Sequence, residues 1–177
     1  SIESCLSQTH RNIQLIVVDD GSTDDTPDIV NSYDDHRLKY VSHDENKGLP
    51  AALNTGFANA DGSYLSWTSD DNYYSQDAME KMLSFLKTRK CHFVYSDFYR
   101  FSEKNPHDRR IVKLPDIAEL NRENCIGPCF LYAREVRDAI GEYDPDTFLS
   151  EDYDYWIRVS KRFQICHLAE PLYHYRA

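Results

Sequence analysis

Apolar residues fall in short clusters separated by polar turns, and their spacing alternates between two periods. Residues 13–18, Ile-Gln-Leu-Ile-Val-Val, form an apolar, largely β-branched run that stops at Asp19-Asp20-Gly21. Such a run predicts a strand buried on both faces, as in a parallel sheet. Residues 22–27 then read as a helix start, with hydroxyl caps, early acids that suit the helix dipole, and a proline tolerated in the first turn. Ile29, Val30 and Tyr33 supply that helix's apolar face. A second strand is predicted over 38–41. Residues 48–60 carry Leu49, Ala52, Leu53, Gly56 and Phe57 at helical spacing, and Asp61-Gly62 turns the chain into a strand over 64–67. That strand ends at Ser69-Asp70-Asp71-Asn72. A helix follows over 76–87, with Met79, Met82, Leu83 and Leu86 as its stripe, then a strand over 93–95. Residues 102–110 are polar and predict a mobile loop. A strand over 129–132 and helices over 135–140 and 153–162 complete the pattern. Strands alternating with helices in this way predict one α/β domain with a largely parallel sheet. The chain opens in a helical segment, residues 1–8, so the sheet is expected to lack its first strand, as if truncated.

Composition narrows the function classes. A length of 177 residues suits one domain. A hydrophobic share of 41% with 28% charged residues argues against disorder. Twenty basic against thirty acidic residues give a net charge of −10, without a Lys/Arg stripe. This argues against nucleic-acid binding, yet leaves an anionic substrate open if a cation accompanies it. No apolar run approaches the ~20 residues of a membrane span. The opening Ser1-Ile2-Glu3-Ser4 has neither the basic region nor the apolar core of a signal peptide. The five cysteines are scattered, and Cys125 and Cys129, four apart, have no second close pair to complete a zinc site. Buried, reduced thiols in a cytoplasmic protein are the expectation.

Candidate chemistry sits where the strands end. Asp19-Asp20 and Asp70-Asp71 both lie at predicted carboxyl ends, where open α/β sheets bind ligands. Asp70-Asp71-Asn72 offers hard oxygen ligands of the kind that hold Mg²⁺ or Mn²⁺ against substrate phosphates. Its plain alternative is a cap and turn before the next helix. Asp19-Asp20-Gly21-Ser22 has a similar alternative, and a phosphorelay receiver domain also carries paired acids there. A receiver would want a lysine after its fifth strand, and no convincing one is present.

Several segments, in order along the whole chain, resemble family-two glycosyltransferases. They are Gln8-Thr9-His10 and Ile16-Val17-Val18-Asp19-Asp20-Gly21-Ser22-Thr23-Asp24, followed by Asn46-Lys47-Gly48 with Ala51-Ala52-Leu53-Asn54. Ala60-Asp61-Gly62-Ser63-Tyr64-Leu65 with Ser69-Asp70-Asp71 matches the strand that carries the D-x-D-type metal motif. Glu151-Asp152-Tyr153-Asp154-Tyr155-Trp156-Ile157-Arg158 resembles the acceptor-side Glu-Asp motif, and Leu172-Tyr173-His174-Tyr175-Arg176 the end of the catalytic domain. Asp70-Asp71-Asn72-Tyr73-Tyr74 is similar to the spore-coat type of bacterial member. Two departures stand out: Thr68 replaces an acid found in many members, and the Gln-x-x-Arg-Trp signature of processive synthases is missing.

The resemblance implies a GT-A fold, a three-layer α/β/α sandwich with a mostly parallel sheet. It implies a single catalytic domain over 1–177, with a nucleotide-sugar half over 1–100 and an acceptor half over 101–177. Members transfer a sugar from a nucleotide diphosphate with inversion. A divalent cation, Mn²⁺ or Mg²⁺, would neutralise the leaving diphosphate, and a carboxylate would take the acceptor proton. By position Asp71 would hold the metal, Asp70 the ribose or the metal, and Asp20 the base N–H. Lys47 would reach the base or diphosphate, against a solvated surface lysine as its plain reading. Asp152 would be the catalytic base rather than a mere helix cap. Two carboxylates facing a diphosphate need the cation, since each unit-charge pair at ~4 Å is worth about 4 kcal/mol at an effective dielectric of ~20. His174 is expected in the core more than at the metal, and Trp67 and Trp156 in the core more than under a sugar. The expected partners are a nucleotide-diphosphate sugar, a UDP-sugar first, and a saccharide or lipid-linked acceptor. The expected place is the cytoplasm or the inner face of a membrane, in bacterial surface polysaccharide assembly. A non-catalytic nucleotide-sugar-binding module is the alternative from another class. A sugar-nucleotide pyrophosphorylase is the third, and its Gly-rich loop bearing Arg and Lys is not visible.

Overall fold

The computed structural model describes residues 1–147 and 149–177, with side chains throughout except at 105–107. A short helix α1 (Ile2–Leu6) leads to strand β1 (Leu15–Asp19), and helix α2 (Thr26–Asn31) takes Pro27 into its first turn. Strand β2 (Leu38–Ser42) pairs with β1 in parallel, Leu15 opposite Leu38 and Asp19 opposite Ser42. Helix α3 (Leu49–Ala58) starts after Gly48, whose φ of 87° few other residues would adopt. Two short strands follow, β3 (Tyr64–Leu65) and β4 (Tyr73–Tyr74). Helix α4 (Ala78–Arg89) carries Lys87 and Arg89 in its last turn, which suits the dipole, and stops at left-handed Lys90. Strands β5 (Phe93–Ser102) and β6 (Asn105–Val112) precede a 3₁₀ turn over Ile117–Glu119. Strand β7 (Phe130–Ala133) runs directly into α5 (Arg134–Ile140). Helix α6 (Glu151–Ser160) and the long strand β8 (Ile165–Arg176) end the chain.

Apart from the β1–β2 pair, the strands form one sheet in the order β3-β7-β5-β8-β4, with β6 on β5. Parallel pairing is confined to β1–β2 and β5–β8, and the other ladders are antiparallel. The sheet is therefore mixed where the alternation pattern predicts a largely parallel one. Residues 102–110, expected as a mobile loop, instead turn a hairpin between β5 and β6. Their charge reflects an edge strand, where Asp108, Arg109 and Arg110 face away from the core and discourage further pairing.

Period-two alternation then sorts the core into two layers. Phe93, Tyr95, Phe130 and Tyr132 face α3, α5 and α6, packing on Leu53, Phe57, Val136, Tyr155 and Trp156. Val94, Leu131, Leu168 and Leu172 face the other way, onto Cys5 of α1 and Ala78, Met82 and Leu86 of α4. The result is the expected three-layer sandwich. Trp156 is fully buried, edge-on to Phe93 and Phe130 at 5.0 and 4.7 Å, so it is a core residue.

The cysteines depart from expectation. Cys91 and Cys166 are joined in a disulfide, because the parallel β5–β8 register sets Val94 beside Cys166 and brings the entry to β5 within reach. Cys5, Cys125 and Cys129 are free and buried as expected. Burial pushes the Cys129 thiol up to about 12. Among the described residues no helix is long and apolar enough to cross a membrane.

Candidate active site

The end of β1 is a knot of carboxylate bonds. Asp19, buried, accepts from the Ser22 N–H at 2.7 Å and the Tyr40 hydroxyl at 2.6 Å, and hydrogen bonding by the Ser22 side chain, then by Tyr40, holds it below the usual carboxylate range. Asp20 accepts from His43 Nδ1 at 2.6 Å and from the N–H groups of Lys47 and Gly48 at 3.0 and 2.8 Å. Burial works to raise its pKa, but the bonds from His43 and the two amides outweigh it, and the net shift is downward. His43 Nε2 is in turn 2.9 Å from Thr55 Oγ1 on α3. Gly21 makes the approach of the 45–48 loop feasible. Its φ is 78°, and a Cβ there would lie 2.7 Å from the Asn46 nitrogen. Asp20 thus shapes the Asn46-Lys47-Gly48 turn through most of its acceptor capacity. The Lys47 side chain is exposed.

The second acidic pair lies in the loop between β3 and β4. Asp70 is exposed, with no side-chain hydrogen bond among the described residues. Asp71 Oδ1 accepts from the Ser69 hydroxyl at 3.0 Å, and Asn72 Nδ2 donates to the same hydroxyl oxygen. Arg176 Nε is 3.7 Å from Asp71 Oδ2, the Arg176 N–H donates to Asn72 Oδ1 at 2.8 Å, and its guanidinium reaches Glu103 at 3.3 Å. Behind the loop, fully buried Gln8 donates to the carbonyls of Ser4 and Ser75 at 2.8 Å each and accepts from the Met79 N–H at 3.0 Å. The Ser1 hydroxyl donates to the Ser69 carbonyl at 3.0 Å. No cluster of three or more His, Cys, Asp or Glu side chains able to hold a metal occurs among the described residues. The donor set still fits Mg²⁺ or Mn²⁺, which are commonly held by one or two carboxylates with phosphate and water filling the remaining positions. Asp71 and exposed Asp70 are the residues that would hold such an ion.

His174 lies in the wall beside this loop. It is buried, stacked between Tyr73 at 4.4 Å and Tyr99 at 4.8 Å, with Nε2 3.3 Å from the Ser75 hydroxyl. Burial, reinforced by the charge of Arg109, lowers its pKa to about 4.

Asp152 occupies the first turn of α6, two residues past the N-cap Ser150. Its Oδ1 accepts from the Tyr153 N–H at 2.6 Å and its Oδ2 from Asn124 Nδ2 at 3.1 Å. Asp154 is occupied elsewhere, paired with Arg158 at 2.8 Å. Tyr143 ties this turn to the β3 side. Its backbone and Asn54 exchange two hydrogen bonds of 2.9 Å, its ring stacks on Tyr155 at 4.2 Å, and its hydroxyl accepts from Trp67 Nε1 at 3.2 Å. Burial raises the Tyr143 hydroxyl's pKa most, then Tyr155, and the charge of Asp152 adds to the rise. The Trp67 that this hydroxyl holds stands three residues before Asp70. Half-buried Trp67 packs edge-on to Phe130 at 5.9 Å, at the rim of the core.

Asp20 and Asp70-Asp71 thus occupy two loops at element ends, and Asp152 the first turn of α6. No hydrogen bond or ion pair among the described residues joins Asp20 to Asp71 or to Asp152 directly. His43, Gln8, Tyr143 and Asn124 were not singled out by the acid motifs, although Gln8 stands inside a matched segment.

The sequence pattern of glycosyl transferase family 2 matches residues 1–145. The chain belongs to that family. Among its relatives, an Escherichia coli protein named UDP-Glc:alpha-D-GlcNAc-diphosphoundecaprenol beta-1,3-glucosyltransferase WfaP is 37% identical over 99 residues, 56% of this chain and 39% of WfaP. TuaG of Bacillus subtilis, a putative teichuronic acid biosynthesis glycosyltransferase, is 28% identical across 99% of this chain and 72% of its own. Two crystal structures of Staphylococcus aureus TarS 1–349 share the fold over 99% of this chain. The complex with UDP has a TM-score of 0.80 at 18% identity, and the complex with UDP-GlcNAc 0.82 at 17%. The present chain spans 55% and 53% of those structures. This family-2 chain therefore has the GT-A fold and covers only part of the length of several relatives.

Proposed function

We propose that this family-2 domain binds a UDP-sugar and transfers the sugar, with inversion, to a saccharide or lipid-linked acceptor in bacterial surface polysaccharide assembly. The observation that carries this reading is Tyr143, whose ring stacks on Tyr155 of α6 and whose hydroxyl accepts from Trp67, three residues before Asp70. A donor whose diphosphate lies at the loop of Asp70 and Asp71 would present its sugar toward α6. The names of WfaP and of the TarS complexes support UDP as the nucleotide, and the diphosphoundecaprenol of WfaP supports a lipid-linked acceptor. Such an acceptor would bring the domain to the inner face of a membrane.

In this scheme the Asp20 carboxylate keeps the 46–48 turn in shape and offers its remaining acceptor capacity to the base N–H. Lys47, exposed on that turn, would reach the base or the diphosphate. Asp71, fixed by Ser69, and Asp70 hold the cation, Mn²⁺ or Mg²⁺, whose charge offsets that of the departing diphosphate. Asp152 accepts the proton of the attacking hydroxyl, help typically worth ~10²–10⁴-fold. Calorimetric titration with UDP, GDP and CDP, with and without Mn²⁺, tests the donor side. The expected result is Mn²⁺-dependent binding of UDP alone, abolished in Asp71→Ala. Asp152→Asn should keep that binding while turnover falls ~10²–10⁴-fold. Retained turnover in Asp152→Asn would move the base elsewhere, and metal-independent binding would remove the cation from the scheme.

A further inference from the structure

The first turn of α6 is tied twice to the segment that precedes β7. The Tyr153 hydroxyl donates to the Leu120 carbonyl at 2.7 Å, and Asn124 Nδ2 donates to Asp152 Oδ2 at 3.1 Å. Asn124 is exposed, but its segment is pinned on both sides by Leu120, Cys125 and Ile126, all buried. Its own Oδ1 accepts from the Ile126 N–H at 3.3 Å, which commits the NH₂ end to the carboxylate. Asp152 receives one protein hydrogen bond on each oxygen, and a carboxylate oxygen accepts two. Capacity for an incoming proton remains.

We propose that Asn124 is the positioning residue of the acceptor-activating carboxylate, an inference that rests on Asp152 being the base. The acceptor oxygen bonds to the anomeric carbon while the carbon–phosphate-oxygen bond breaks. The nucleoside diphosphate leaves with that electron pair, and the acceptor proton passes to Asp152. Asn124 holds the carboxylate in one orientation for that transfer. An amide suits the task because it donates without carrying charge. A Lys or Arg there would stabilise the carboxylate as a salt bridge and weaken it as a base, and an Asp would repel it.

The test follows UDP release from UDP-glucose and UDP-GlcNAc with Mn²⁺, in the full chain. Asn124→Ala is expected to lower kcat about tenfold or more, the usual scale for a hydrogen bond to a charged group, with donor KM and UDP affinity within about twofold. Asn124→Asp should fall further. In an Asp152→Asn background, Asn124→Ala should cost less than about twofold, because the group it positions is already disabled. A full tenfold loss in that background overturns the proposal. A wild-type chain that binds no UDP, or an Asp152→Asn variant with wild-type turnover, overturns the functional reading beneath it instead. The contact is also read without turnover. In ¹⁵N-labelled protein the Asn124 side-chain NH₂ signals should move in Asp152→Ala and stay in place in Asp70→Ala, and signals indifferent to Asp152→Ala overturn the proposal.

Discussion

Between the rings of Tyr73 and Tyr99 the His174 imidazole has little access to water, and its pKa of about 4 lies below the ordinary value of 6.5. Between those two values the unfolded chain binds a proton that the folded chain refuses, so stability falls as pH drops from about 6.5 toward about 4. His174→Phe keeps a ring in the stack and removes that proton. In urea unfolding, the wild type should lose about 2 kcal/mol more than His174→Phe between pH ~7 and pH ~5. Equal losses would show that this imidazole is already solvated. The position of His174 near the chain's last motif suggested a metal ligand as one reading, and only the stacked rings decide for the wall. The acids behave differently. Asp20, Asp71 and Asp152 were legible because each stands where a short apolar run or a helix pattern breaks. Gln8, Tyr143 and Asn124 were not, because their partners lie far along the chain: Ser75, Trp67 and Asp152. Local pattern carries no trace of such pairings.

Among the elements, the pattern placed most helices and strands to within a few residues and failed where tertiary pairing decides. The β5–β6 hairpin is polar because it lies at an edge, and polarity in a single sequence reads as loop. Strand β4 is two residues long and exists only through its pairing with β8. A largely parallel sheet was expected because strands alternate with helices, yet β7 enters antiparallel to both β3 and β5. The β5–β8 ladder also carries the Cys91–Cys166 bridge, which spans 75 positions of sequence. Closing a loop of that length in the unfolded chain is worth about 4 kcal/mol in the chain-entropy account. Reductant should therefore lower the urea midpoint markedly, and Cys91→Ser should reproduce the shift without reductant. A midpoint unmoved by either would mean that the bridge adds nothing to stability.

Across the whole molecule, the two layers of core packed on the larger sheet contrast with the small β1–β2 ribbon. Of that ribbon, among the described residues, only Leu15 packs against either core, from its margin. The ribbon is held instead through α2, α3 and polar ties such as Gln14 to Asp61 and Lys39 to Asn59. Backbone amides protected mainly by half-buried pairing open at lower free energy than those of a core sheet. Hydrogen exchange should accordingly divide the chain into a slow body, β5, β7 and β8, and a faster β1–β2 pair. Uniform protection across both would show that the ribbon opens only when the whole domain unfolds. The faster pair carries Asp20 at its tip. If Asp20 meets the base as proposed, saturating nucleotide should slow exchange most in this ribbon, and that end of the molecule would gain much of its rigidity from the ligand it reads.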